Sequence, residues 1–227
     1  MKKTAFLSFI LLMLIACKSA PGPVPLGSWD YEILINGVPV GEAEMSTSKK
    51  NDTYISVAEM SMKAGAIVNT TKQTIVETTG FAPVKLEIQN RIIHGGITEN
   101  IDTTAVFKGR TVTLTAGADT STFTIEKPFV LDGAIYIHEI IRNGFKEGTE
   151  ISFSVYEPSI ETEEPVSLKL KVLGTEMVSV GNTQKELVHI TEAIAGIKNI
   201  NIYIDKQGIT HKAVITMLNN RLELVLK

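Results

Sequence analysis

The stretch that decides the fold runs from Ser28 to Gly41 and has the sequence SWDYEILINGVPVG. Large apolar side chains occupy every second position from Trp29 to Ile35. This period of two is typical of a β-strand with one buried face. The pair Asn36-Gly37 follows, and both residue types readily adopt the positive φ angles that a two-residue hairpin needs. The segment therefore predicts a β-hairpin that opens the folded part of the chain.

Working outward from this hairpin, the same alternation recurs along most of the chain. Short strands at roughly ten-residue spacing favour an antiparallel sheet over a βαβ repeat. The segments predicted as strands after the hairpin are Thr53–Lys63, Ala66–Thr79, Pro83–Ile93, Ile101–Phe107, Arg110–Ala116, Thr120–Glu126, Glu150–Tyr156, Val166–Leu173, Glu176–Val180, Lys185–Ala193, Asn199–Asp205, Ile209–Met217 and Leu222–Leu226.

One segment departs from this pattern. Between residues 134 and 143 the isoleucines follow helical spacing, Asp132 precedes them as a possible N-cap, and Gly144 suits a helix stop. We predict one short helix laid against the sheet. No composition shift divides residues 28–227, so we expect a single, mainly β domain built on a large curved antiparallel sheet.

The N-terminus carries a different signal. Lys2 and Lys3 precede an apolar run from Ala5 to Ala16, which at about 1.5 Å per residue is too short to cross a bilayer. Residues 1–16 therefore predict a secretory signal peptide. The sequence LIAC at 14–17 resembles the lipobox of bacterial lipoproteins, in which diacylglycerol is joined to the cysteine thiol and the new amine is often acylated, for example with palmitate. Cys17 is the only cysteine in the chain; the alternative is a lone buried cysteine at the end of an ordinary signal.

The residues after Cys17 predict how the folded domain is connected to its membrane anchor. Residues 17–27 form a lipidated cysteine followed by a Pro/Gly-rich stretch, KSAPGPVPLG, which we expect to be an extended tether that does not pack. Position 18 is Lys rather than Asp. By analogy with Gram-negative lipoproteins, this predicts an outer-membrane location facing the periplasm.

Composition and motifs exclude several classes of function. The formal net charge of -3 lacks the basic character of a nucleic-acid binder, and one cysteine rules out a disulfide framework. No nucleophile-elbow, zinc-protease, phosphate-loop or dinucleotide motif occurs. The four histidines lie far apart in the chain, at His94, His138, His189 and His211. We therefore expect no metal, no cofactor and no enzymatic activity, and we interpret Asp205 as a turn former.

Three methionines form the only candidate binding site. Met45, Met60 and Met62 fall close together on neighbouring predicted strands. Flexible thioethers suit a cavity that accepts acyl chains of varied shape. The alternative is that these side chains simply fill the core.

The order of features along the body resembles a known family. The features are the start WDYEILINGVPVG at 29–41, a helix ending in Ile140-Ile-Arg142, a following Gly148, a strand pair around Leu168–Val180, and the closing IYIDKQGITHK at 202–212. They are similar to an uncharacterised family of exported bacterial β-rich proteins. That family is similar in outline to the half-barrels of outer-membrane lipoprotein carrier and receptor proteins. The resemblance implies a half-barrel fold. It assigns no catalytic residue to this chain.

These observations lead to one main functional hypothesis and two alternatives. We expect a non-enzymatic, lipid-anchored cell-envelope protein that binds a hydrophobic ligand such as a lipid or an acyl chain. The first alternative is a structural or interaction module that helps to assemble another envelope protein. The minor alternative is an envelope hydrolase with residues gathered from loops.

Overall fold

The computed structural model describes residues 24–160, 163–194, 198–217 and 220–227. Within these ranges the chain forms fourteen strands and one helix. Their bounds are β1 Gly27–Ile35, β2 Val38–Lys50, β3 Thr53–Ala64, β4 Ile67–Thr78, β5 Pro83–His94, β6 Ile97–Lys108, β7 Thr111–Ala116, β8 Asp119–Thr124, α1 Ile135–Arg142, β9 Glu150–Val155, β10 Val166–Val180, β11 Thr183–Ile194, β12 Lys198–Ile204, β13 Thr210–Met217 and β14 Asn220–Leu226.

The strands join in one antiparallel sheet with the order β8-β7-β6-β5-β4-β3-β2-β1-β14-β13-β12-β11-β10-β9. Each strand except β1 and β14 therefore pairs only with its neighbours in the chain. At the centre of the sheet the first strand pairs with the last, with Tyr31 opposite Leu226 and Ile33 opposite Leu224. The predicted fold class, a large curved antiparallel sheet with one short helix, is confirmed.

The two outer edges of the sheet, β8 and β9, are not paired with each other. The segment that follows β8 runs between them and makes a parallel bridge to β9 from Val130 to Val155. The Val130 N–H donates to the Ser154 carbonyl, and the Tyr156 N–H donates to the Val130 carbonyl, both at 2.9 Å. We call this segment, residues 125–131, the seam.

The seam is held by an aromatic cluster as well as by backbone hydrogen bonds. The Tyr156 ring lies 5.5 Å from the ring of Phe107 on β6 and 6.4 Å from that of Phe123 on β8. Ile125 and Leu131 at the two ends of the seam are completely buried. Burial of these side chains draws the two edges towards each other, because apolar area removed from water stabilises by about 25 cal/mol per Å².

Most of the strand predictions are confirmed, and two need correction. Asn36 and Gly37 have φ of 51° and 80°, as the predicted hairpin requires. The two strands predicted at Val166–Leu173 and Glu176–Val180 are one strand, β10, because a bulge between Val172 and Gly174 lets it continue. β6 begins at Ile97 rather than at Ile101, because Ile97 pairs with His94 at the end of β5.

The helix lies inside the curve of the sheet. α1 confirms the predicted segment, and Gly144 follows it with φ of 64°. The Tyr136 ring lies 4.9 Å from that of Phe153 on β9, and Ile140 is buried. The prediction of Asp132 as the N-cap is wrong. The N-cap is Ala134, whose N–H donates to a Glu77 oxygen of β4 at 2.9 Å, so the helix start is fixed by a distant strand.

The N-terminal predictions fall mainly on residues outside the described part of the chain, including Cys17 and the proposed signal peptide at 1–16. The expectation that the tether does not pack is wrong at its end. Val24 is buried, and Pro25 lines an internal cavity. Among the described residues, no helix has the length and apolar character needed to cross a membrane.

Candidate functional site

The concave side of the sheet encloses a cavity of about 620 Å³ that is partly open to solvent. Strands β1 to β4 form one wall and β11 to β14 form much of the other, with the start of α1 between them. Most lining side chains are apolar. The lining residues that the argument uses are Pro25, Trp29, Met45, Met60, Met62, Asp132, Ala134, Ile137 and Glu192.

The pairing register explains why one wall is rich in methionine. Directly paired residues in a sheet lie on the same face. Trp29 pairs with Met45 across β1 and β2, and Ala43 pairs with Met60 across β2 and β3. Met62 pairs with Gly41 in the same ladder. The alternation that starts at Trp29 therefore carries all three methionines to the concave side.

All three methionines named from the sequence line the cavity together with Trp29. We call these four residues the methionine wall. Each of the four is partly exposed rather than fully buried. Their placement on one wall follows the prediction, and ligand binding by them stays a prediction.

Two acidic side chains are the charged groups of the lining. Glu192 on β11 is buried, with 7% of its surface exposed, whereas Asp132 is exposed where the segment before α1 meets solvent. No Lys, Arg or His occurs among the lining residues that the structure describes. We call Asp132 and Glu192 the acidic pair. The described lining is therefore apolar with a negative component.

A third carboxyl group, Glu77, lies against this part of the lining. It is 1% exposed, and its Oε2 atom accepts the Ala134 N–H at 2.9 Å. Its Oε1 atom is buried and finds no hydrogen-bond partner within the described part of the chain. Burial raises the pKa of Glu77 to about 8; the Ala134 hydrogen bond opposes this rise, and the charge of Asp132 adds to it. The Glu77 carboxyl is therefore mostly protonated at neutral pH.

The first turn of α1 adds a buried hydroxyl to the same region. Tyr136 Oη is buried and has no hydrogen-bond partner among the residues that the structure describes. Burial raises the Tyr136 pKa well above its usual range, and the charges of Asp132, Glu192, Glu77 and Glu157 raise it further.

The other polar groups considered from the sequence have structural roles. Asp205 Oδ1 accepts the N–H groups of Gln207 and Ile209, both at 2.9 Å, which confirms Asp205 as a turn former. Its Oδ2 lies 2.9 Å from His211 Nε2. The His138 ring packs 4.6 Å from the Phe81 ring. In the described ranges no three His, Cys, Asp or Glu side chains converge as metal ligands would.

Reasoning from the sequence missed Glu77 and Glu192, although a signal was present. Glu77 is two residues from the buried Ile75 on β4, and Glu192 is two residues from the buried Ile190 on β11. Alternation therefore places each carboxylate in an inward-facing apolar row. A charge at such a position is unusual, because burial of an ionised group is costly.

Solved structures with a similar fold identify the fold class of this chain. A crystal structure of a β-barrel-like protein of the domain of unknown function DUF1849 from Brucella abortus is similar over 88% of this chain and 94% of that one, with a TM-score of 0.64 and 12% identity. A DUF1089 family protein from Pseudomonas aeruginosa gives a TM-score of 0.40 at 11% identity, over 82% and 89% of the two chains. No curated protein sequence matches this chain.

The fold is thus that of a β-barrel-like protein. Residues 30–226 match the model of the family described as "Protein of unknown function (DUF3108)", and the chain belongs to this family. The expectation of an uncharacterised β-rich family is confirmed. The export and lipidation that the resemblance implied stay predictions.

Proposed function

We propose that this protein is a non-enzymatic, lipid-anchored component of the cell envelope that binds a hydrophobic ligand inside its curved sheet. The observation that carries the proposal is the cavity with its methionine wall. Its volume of about 620 Å³ lies within the range of about 300–1,000 Å³ that is usual for small-molecule sites. Lining that is mainly apolar with a few polar groups is also usual for such sites.

The chemistry of the wall suits a ligand of variable shape. Met45, Met60 and Met62 are unbranched and rotate about several bonds, so they adapt to an occupant better than branched side chains do. Partial exposure of these side chains means that apolar area is still available for burial. Covering that area supplies binding free energy of about 25 cal/mol per Å² before the costs of association.

The proposed anchor would hold this cavity near a membrane. Pro25 lines the cavity and is eight residues beyond Cys17. An extended chain spans at most about 3.5 Å per residue. A diacylglycerol on Cys17 would therefore keep the lining at Pro25 within about 28 Å of the anchored cysteine. By the same proposal, the membrane is the outer membrane and the body faces the periplasm.

Native mass spectrometry with lipid extraction tests the proposal on the mature chain carrying Cys17→Ser and purified without detergent. We expect a retained apolar molecule in wild type. Met60→Gln changes polarity at nearly constant shape, so we expect the retained fraction to fall about tenfold, as loss of one apolar contact of about 1.4 kcal/mol would give. Met177→Gln is the matched control, because Met177 is 62% exposed and lies outside the lining.

Two results would contradict ligand binding. One is a folded wild-type chain that is empty and takes up no added apolar molecule. The other is equal retention by the Met60→Gln and Met177→Gln variants. Either result would favour the second candidate function, which is a structural or interaction module that helps to assemble another envelope protein.

A specific surface favours that second candidate. Ile67, Ile97 and Ile101 are large apolar residues with 43%, 75% and 42% exposure. Ile67 pairs with His94, and His94 pairs with Ile97, so Ile67 and Ile97 share one face at the ends of β4 and β6. Ile101 lies four residues further along β6 and is on the same face by alternation. Exposed apolar residues grouped on one face are a feature of interaction surfaces.

If this face binds an envelope protein, Ile97→Asp is expected to abolish a crosslinked complex without changing the melting temperature. Chemical crosslinking in intact cells followed by mass spectrometry of the captured chain provides the measurement. An exposed site tolerates the substitution within about 0.5 kcal/mol. An unchanged set of crosslinks would exclude this face as an interface.

A further inference from the structure

The charged side chains of the described cavity lining are all acidic. Among the lining side chains that the structure describes, Asp132 and Glu192 are acidic and none is basic. Glu192 is buried within the fold, whereas Asp132 is exposed. One member of the acidic pair is thus buried and the other is exposed. A ligand that fills the cavity meets negative charge at this part of the lining.

The acidic pair belongs to one region rather than to opposite ends of the cavity. Glu192 lies two residues beyond Ile190 on the same face of β11, and Ile190 packs in the same buried cluster as Tyr136 of α1. Asp132 lies in the segment just before α1, and both acidic residues line the same cavity. Tyr136 lies in the chain between Ala134 and Ile137, both of which line the cavity. In the described ranges, neither its Oη atom nor the Oε1 atom of Glu77 has a hydrogen-bond partner, and both atoms are buried. The region therefore holds more polar capacity than the described protein groups satisfy, which is unusual for buried atoms.

The size of the cavity limits the occupant. Cavities of a few hundred Å³ enclose ligands of drug-like size. A volume of about 620 Å³ is suited to one alkyl chain with a small head and is too small for a lipid with two or three long chains. The methionine wall provides the apolar surface along which such a chain would lie.

We propose that the cavity takes a single-chain amphiphile with a protonated amine head, whose ammonium group faces the acidic pair while its chain packs on the methionine wall. This inference rests on the proposed function, because it specifies the hydrophobic ligand of the same cavity. It names the chemical class of the ligand, which neither the fold nor the family assigns.

Charge complementarity is the physical basis of the selectivity. An ammonium group near two carboxylates gains attraction that is strengthened where water is excluded. A carboxylate head in the same place would bring a like charge towards the acidic pair, which costs several kcal/mol at an interface. A hydroxyl head would neither gain the attraction nor suffer the repulsion. The expected order of affinity is therefore amine, then alcohol, then carboxylate.

The experiment uses three probes with the same alkyl chain: decylamine, decanol and decanoate, each below its micelle concentration at pH 7. Trp29 is the only tryptophan in the chain and lines the cavity, so its fluorescence reports occupancy directly. The protein is the mature chain with Cys17→Ser, so that no anchor acyl chain competes. We expect decylamine to bind at least about tenfold more tightly than decanoate, with a ratio that decreases as salt is added.

Two variants test whether the acidic pair causes the preference for an amine head. Glu192→Gln and Asp132→Asn keep size and remove charge, and each is expected to lower the amine-to-carboxylate ratio about fivefold or more. Glu59→Gln is the control, because Glu59 is exposed, pairs with Lys72 and lies outside the lining. Circular dichroism checks that each variant is folded. If Asp132→Asn does not fold, Glu192→Gln and the wild-type series decide the question.

The outcomes separate this inference from the proposed function. No binding of any probe would refute both. Binding of decanoate as tight as that of decylamine would refute the amine-headed ligand and leave the hydrophobic-ligand function standing. An amine preference that survives both charge-removing variants would also overturn the inference, because the head would then lie elsewhere.

Discussion

Gly41→Ala is expected to destabilise the protein by about 3 kcal/mol or more, although it adds a single methyl group. A Cβ atom at Gly41 would overlap the Ser61 carbonyl oxygen and would lie 2.9 Å from the Met62 Cα. Both atoms belong to the backbone of β3, so no side-chain rotation relieves the overlap. The two strands would have to separate where Gly41 also pairs with Ile33 of β1. The damage would therefore reach three central strands.

Thermal unfolding followed by circular dichroism measures this effect. For a chain of this length a loss of about 3 kcal/mol lowers the melting temperature by roughly 6–12 °C. Gly80→Ala is the matched control, because a Cβ there meets only the Thr78 hydroxyl at 3.7 Å, an ordinary contact. We expect the control to stay within about 0.5 kcal/mol of wild type. A Gly41→Ala protein as stable as the control would show that β2 and β3 do not approach this closely.

Glu77→Gln is expected to change how stability depends on pH. The folded-state pKa of Glu77 is raised from 4.5 to about 8, mainly by burial. Between these two values the folded chain keeps the proton that the unfolded chain releases. The contribution of Glu77 to stability is therefore complete below about pH 4.5, is lost as the pH rises towards 8, and changes no further above that.

The glutamine variant keeps an oxygen that can accept the Ala134 N–H but carries no charge at any pH. The difference in free energy of unfolding, variant minus wild type, should therefore increase by on the order of 4 kcal/mol between pH 5 and pH 8.5. Urea unfolding at several pH values measures this difference, in which the titration of all other groups largely cancels. The charge of Asp132, which faces Glu77 from the segment before α1, is present in both proteins.

Glu87→Gln serves as the control for this series, because Glu87 is 38% exposed and pairs with Lys85 at 2.7 Å. Exposed ion pairs contribute about 1 kcal/mol or less, so its difference from wild type should vary little with pH. A constant difference for Glu77→Gln across the same range would show that the fold accommodates the ionised carboxylate. In that case the raised pKa would be wrong.

The local part of the fold could be predicted from the sequence because the signals are themselves local. Alternation between Trp29 and Ile35 fixes which side chains share a face, and Asn36-Gly37 fixes the turn. Once consecutive strands pair as hairpins, the same alternation brings Met45, Met60 and Met62 to one side. The helix was predicted because its isoleucines break the period of two. Each inference needs only residues within a few positions of one another.

The features that could not be predicted depend on contacts between distant residues. The helix start is bound by Glu77, which is 57 residues earlier in the chain, so the nearby Asp132 was a reasonable but wrong choice of cap. The seam depends on Tyr156 meeting Phe107 and Phe123 from other strands. The single strand β10 depends on a bulge at Leu173, where the register of its pairing with β11 shifts. Neither the composition nor the periodicity of the sequence specifies these contacts between distant residues.

The pairing of the first strand with the last has a consequence for the order in which the chain folds. β1–β8 and β9–β14 are two meanders whose hairpins can close locally, but β1 and β14 meet only after nearly the whole chain has been brought together. Closing a loop of roughly 190 residues costs about 5 kcal/mol of chain entropy. The central ladder is therefore the contact of highest sequence separation, and such contacts slow folding. Until the C-terminal strand arrives, β1 and β13 both remain open edges in what becomes the middle of the sheet.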